Sequence, residues 1–114
     1  MKNARIAIIG LIMLLGACGS SSTFVASKDG RGYYLGNSKS AAYEMFCQSG
    51  DLKKILADTS LAQEMREELY QYNCGADRSN DKVRKLYASM TADQRKDLRR
   101  AFKRNGYDVN YIQC

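Results

Sequence analysis

The stretch TADQRKDLRRAFKRNG, residues 91–106, decides the fold class. Thr91 followed three residues later by Gln94 is a capping box, in which hydroxyl and amide satisfy backbone N–H groups that a helix start leaves open. Leu98, Ala101 and Phe102 then recur at helical spacing, and Gly106 supplies the stop. At 3.6 residues per turn, Lys96, Arg99, Arg100, Lys103 and Arg104 fall on the side opposite Leu98 and Phe102. Asp93 and Asp97 share part of that arc, at i+3 spacing to Lys96 and Arg100, where ion pairs form across one turn. The segment reads as an amphipathic surface helix with one strongly basic face.

The same period runs upstream. Val83, Leu86, Tyr87 and Met90 stand at i, i+3, i+4 and i+7 of a fourth helix, opened by Ser79 or Asn80 as cap. A third helix carries Leu61, Met65, Leu69 and Tyr72, with Ser60 and Gln63 as a capping box and Gly75 as a left-handed stop. Before it lie a short helix over 51–57, with Leu52, Ile55 and Leu56, and a first helix from about Lys39 to Gln48 closed by Gly50. The expected fold is therefore all-α: a small bundle of four to five short helices over residues 38–114, after a flexible tether. The tail YDVNYIQC, residues 107–114, alternates loosely and should pack in an extended form.

Short connections make neighbouring helices antiparallel. Helices one, three and five then run in the same direction, so Cys47 and Cys74 meet at one end, and the tail starting there brings Cys114 within reach. Cys47–Cys74 is the favoured pairing and Cys74–Cys114 the next. A small domain has use for such a staple. One cysteine is left over, which suggests a free thiol or an intermolecular bond to a partner or a second copy.

Composition excludes several functions. The chain has no His, Pro or Trp among its 114 residues. Absence of His removes the usual general base and metal ligand. Three widely spaced cysteines do not make a zinc ligand set. Ser79 to Lys82 fits SxxK, but no KTG accompanies it. Carboxylates such as Glu64, Glu67 and Glu68 share one polar helix face rather than flanking a cleft. The expectation is a protein that is not an enzyme and holds no metal. Helices four and five resemble a helix-turn-helix in outline, yet lack interleaved base-reading residues, so no specific nucleic-acid partner is expected.

At the N-terminus, Lys2 and Arg5 precede an uncharged run, Ile6 to Ala17, of twelve residues. That is the layout of a cleaved signal peptide over residues 1–17, and too short for the roughly 20 residues of a membrane-spanning helix. Leu15-Gly16-Ala17-Cys18 matches every position of the lipobox, and the chain resembles the bacterial lipoproteins on these residues. The resemblance implies cleavage before Cys18, a thioether-linked diacylglycerol on its sulfur and an acyl chain on its new amino group, with no other cofactor. Two or three acyl chains anchor a protein stably. Gly19, which is not the aspartate that marks retention in the inner membrane, implies outer-membrane placement facing the periplasm. Removing Lys2 and Arg5 takes the net charge from +6 to +4. Cysteine usage fits this exported compartment.

Residues 18–37 are rich in Gly and Ser and read as the lipidated flexible tether, long enough to hold the domain on the order of 25 Å from the membrane. Within it, GRGYYLG at 30–36 is not a nucleotide loop, since GxGxxG is not met and no predicted strand precedes it. It reads as an extended arm laying Tyr33, Tyr34 and Leu35 on the domain, or as a partner-binding arm through Tyr33 and Tyr34. The functional expectation is a non-catalytic interaction or assembly module for a periplasmic or outer-membrane complex. The alternative is a binding module for an anionic lipid headgroup or glycan through Lys96, Arg99, Arg100, Lys103 and Arg104.

Overall fold

A computed structural model describes residues 23–34 and 40–112. Cys18, Leu35 and Cys114 lie outside the described residues, and with them the lipobox and the odd cysteine. Five helices make up most of the structure: α1 (Ala41–Ser49), α2 (Asp51–Ala57), α3 (Gln63–Cys74), α4 (Asn80–Ser89) and α5 (Ala92–Arg104). Among the described residues three strands accompany them: β1 (Thr23–Lys28), β2 (Arg31–Tyr34) and β3 (Asp108–Ile112). They form one antiparallel sheet in the order β2-β1-β3.

The sheet corrects the all-α expectation and moves the start of the folded domain from residue 38 to Thr23. Asp29 and Gly30 join β1 to β2 with φ of 49° and 83°. A two-residue hairpin loop whose central residues both have positive φ matches the twist of its strands, and Asp-Gly is a favoured pair there. The flanking residues alternate: Phe24, Ala26 and Tyr33 are buried, while Ser27 is exposed. The tail is extended as expected and supplies β3, which pairs with β1 from Thr23↔Ile112 to Ser27↔Asp108.

The helix ends follow the sequence closely, with two exceptions. Ser40 caps α1, Ser79 caps α4, and Thr91 with Gln94 forms the complete capping box of α5. Gly50 is left-handed between α1 and α2. At α3, however, the N-cap is Ala62 and no side chain caps it. The Ser60 N–H instead donates to Asp97 Oδ2 on α5 at 2.7 Å, so a tertiary contact replaces the local box. Gly75 is extended (φ −98°, ψ −157°) rather than left-handed, and its N–H donates to Gln71 O at 3.2 Å.

The core is aromatic at its centre. The Phe102 ring lies 5.2 Å from Phe24, 5.0 Å from Tyr33, 5.9 Å from Phe46 and 5.5 Å from Tyr107. Leu52, Ile55, Leu56, Leu69 and Leu98 belong to the same core cluster. Cys47 and Cys74 are joined by a disulfide with a Cα–Cα distance of 5.3 Å, the favoured pairing. Beside it, Arg78 stands 3.7 Å from Cys47 Sγ, pairs with Glu44 at 2.9 Å and lies over the Tyr43 ring. Asn73 is the one buried polar residue among those described; its amide donates to Leu69 O at 2.7 Å, and its carbonyl oxygen accepts from the Tyr43 hydroxyl.

A second polar tie joins three segments. Asp51, the first residue of α2, accepts from Arg31 of β2 at 2.9 Å and from the Tyr107 hydroxyl at 2.6 Å. Burial pushes the Asp51 carboxyl up, but the Tyr107 hydroxyl, Arg31 and Lys28 together hold it below the usual carboxylate range. Burial and the Asp51 charge push the Tyr107 phenol up. With its folded pKa below the unfolded value, Asp51 adds stability that is fully present above the unfolded pKa of about 3.9. That stability fades as pH falls through the folded pKa. Asp51→Asn is expected to lower the unfolding free energy at neutral pH by about 1.5–3 kcal/mol, the range for a hydrogen bond to a charged group. Denaturant midpoints taken from neutral pH downwards check both parts. The gap between wild type and variant should narrow at acid pH, and a constant gap would contradict the assignment.

Candidate interaction surface

Helix α5 presents the basic face that its sequence forecasts, though not all of it is free. Leu98, Ala101 and Phe102 are buried, which fixes the opposite face towards solvent. Arg104 is committed to the fold: its Nε pairs with Asp58 Oδ2 at 2.9 Å and its Nη2 donates to Asp58 O at 2.6 Å. Arg99 is only partly exposed and has interactions of its own. Lys96, Arg100 and Lys103 remain, all exposed. They stand at i, i+4 and i+7, so they line up along one stripe of the helix.

No ion pair among the described residues neutralises that stripe. The expected partners do not close on it; Asp97 is occupied by the Ser60 backbone. A fixed row of cations on a helix whose other face is locked into the core is suited to meeting an acidic surface. Burying Leu98 and Phe102 sets its orientation.

The other residues expected at a binding surface lie elsewhere. Tyr33 is 1% exposed, stacked on Phe24 and Tyr43, and is a core residue rather than part of a binding arm. Its phenol is pushed well above the ordinary value by burial and by the neighbouring Tyr43 and Tyr87. Tyr34 ends β2, with its backbone opposite Val25. Tyr33 is laid on the domain, as the first form of the arm reading has it, but from a strand of a hairpin rather than a lone extended arm: alternation sends Tyr33 inwards where β2 covers α1.

A second feature has no counterpart in the sequence reading. An open groove of about 390 Å³ runs between α2 and α3, lined in part by Lys53, Leu56, Arg66, Glu67 and Tyr70. Lys53 Nζ stands 4.9 Å over the Tyr70 ring. Arg66 Nε is buried with no hydrogen-bond partner among the described residues. Glu67 is held by Gln63 Nε2 at 3.2 Å. The groove brings two cations, one carboxylate and an aromatic face together. Its residues come from two helices, with Lys53 and Arg66 thirteen positions apart, so no linear motif marks it.

Among the described residues no cluster of His, Cys, Asp and Glu is placed to hold a metal ion, and no helix is long and apolar enough to cross a membrane. No protein-family model, no curated protein and no solved structure matches the chain.

Proposed function

We propose that the chain is a lipid-anchored envelope protein, acylated at Cys18, that docks non-catalytically on an acidic surface of a periplasmic or outer-membrane assembly. The observation that carries the docking role is the stripe Lys96, Arg100 and Lys103, exposed and without carboxylate partners among the described residues. The lipobox at residues 15–18 supports the anchor, and Gly19 supports outer-membrane placement. Reversing all three charges, K96E/R100E/K103E, removes attraction without touching the core, so folding stability should change by no more than about 0.5 kcal/mol per surface site. Crosslinking of the folded triple variant in intact envelopes should lose the protein adducts that wild type forms. Adducts retained at wild-type level would overturn the docking face.

The α2–α3 groove favours a second reading, in which the ligand is an anionic envelope component such as a headgroup or glycan carboxylate. Lys53 and Arg66 would be its contacts. Under that reading K53E/R66E abolishes binding to an anionic glycan, and the α5 triple variant retains it.

A further inference from the structure

The sequence places only Gly19 to Ser22 between Cys18 and the first residue of β1. The long tether expected from composition is therefore shortened to four residues. A fully extended chain spans at most about 3.6 Å per residue, so the Thr23 backbone lies within about 18 Å of Cys18. An acylated Cys18 sits at the lipid headgroups.

Strand register shows which part of the domain that short link holds. Thr23 pairs with Ile112 and Val25 with Tyr34, so the start of β1 and the ends of β2 and β3 form one end of the sheet. Lys28 pairs with Arg31, and Ser27 with Asp108, at the other. Five strand steps of about 3.4 Å separate the two ends by about 17 Å. The last turn of α5 belongs to the far end, because Lys28 Nζ donates to Asn105 O at 3.1 Å.

We infer that the domain is held against its own membrane by the sheet end that carries Thr23, Tyr34 and Ile112, and that the end with Lys28, Arg31 and Lys103 faces away from that membrane. The inference rests on the acylation of Cys18 proposed above. Turning the domain over would lift Thr23 by about 17 Å, which is nearly the whole reach of the link. Arg31 is paired with Asp51 and Lys28 is held by Asn105 O, so Lys103 is the far-end cation left open to a partner. In the held orientation it stands about two Debye lengths, at roughly 8 Å each, from the anchoring headgroups. Its attraction to the membrane that carries the protein is screened, which leaves it to an acidic partner across the aqueous space.

The chain has no tryptophan, so one introduced indole reports position. Full-length lipoprotein carrying Thr23→Trp or Asp108→Trp is reconstituted in phosphatidylethanolamine–phosphatidylglycerol vesicles with a headgroup-spin-labelled lipid. Thr23→Trp should lose most of its emission and Asp108→Trp almost none. Twenty Gly/Ser residues inserted after Ser22 should erase the contrast. Should Thr23→Trp not fold, the exposed Asn110→Trp, nearer the same end, should still be quenched more than Asp108→Trp. Equal quenching at both ends, in protein that floats with the vesicles, would overturn the orientation and leave the anchor standing. Protein that does not float would overturn the anchor and the inference with it.

Discussion

Phe102→Ala should lower the unfolding free energy by about 3–5 kcal/mol, the range for truncating a buried phenylalanine. The expected loss sits at the high end because the Phe102 ring touches β1 through Phe24, β2 through Tyr33, α1 through Phe46 and the post-α5 turn through Tyr107. Removing it opens a cavity where the sheet and the helices meet, lined by the Phe24, Tyr33, Phe46 and Tyr107 rings. Against the 5–15 kcal/mol typical of a domain, such a loss leaves a marginal fold. Urea midpoints at constant slope measure it. A loss below about 0.5 kcal/mol, the scale of an ordinary surface change, would mean that the sheet is not packed on α5.

Replacing the disulfide, C47A/C74A, is expected to cost about 3–4 kcal/mol. The bond spans a sequence separation of 27, and the chain-entropy model assigns that much to a loop of this size. For a domain under 100 residues each kcal/mol moves Tm by about 4–8 °C, so the shift should be on the order of 12–32 °C. A reductant should reproduce it in wild type, and Cys114→Ala should leave Tm unchanged. If Cys114→Ala instead gave the large shift, the staple would be Cys74–Cys114, the other pairing that the sequence allows.

The two predictions also mark what the sequence holds locally and what it does not. The capping box at Thr91 and Gln94, the buried triad Leu98, Ala101 and Phe102, and the cap at Ser79 all follow from residues within one or two turns. Each was legible because hydrogen bonding and burial in a helix are set by near neighbours. The Cys47–Cys74 pair was legible because short connections fix helix direction. The sheet was not. Its central strand pairs with residues from the far end of the chain, Thr23 with Ile112, and its alternation is short and set among Gly and Ser. The Asp29-Gly30 pair was the available signal. The surrounding composition, which reads as a tether, obscures it.

The candidate surface divides the same way. Its helical face was legible from period alone, but which cations stay free was not. Arg104 is taken by Asp58, 46 positions away, and Asp97 is drawn off by Ser60. The Ser60–Gln63 box fails for the same reason, since Ala62 takes the cap position. Tyr33 looked available on an arm and is instead at the centre of the core. Asn73 and the Lys53–Arg66 groove depend on helices brought together by folding, and no spacing in one helix announces them.

The central claim, that this helical domain works from a membrane anchor, is tested most directly by the mass of its mature N-terminus. Protein extracted from the envelope and digested should yield an N-terminal peptide that begins at Cys18 and carries diacylglycerol on the sulfur and an acyl chain on the amino group. A peptide that begins at Met1, or a Cys18 that carries no lipid, would contradict the account.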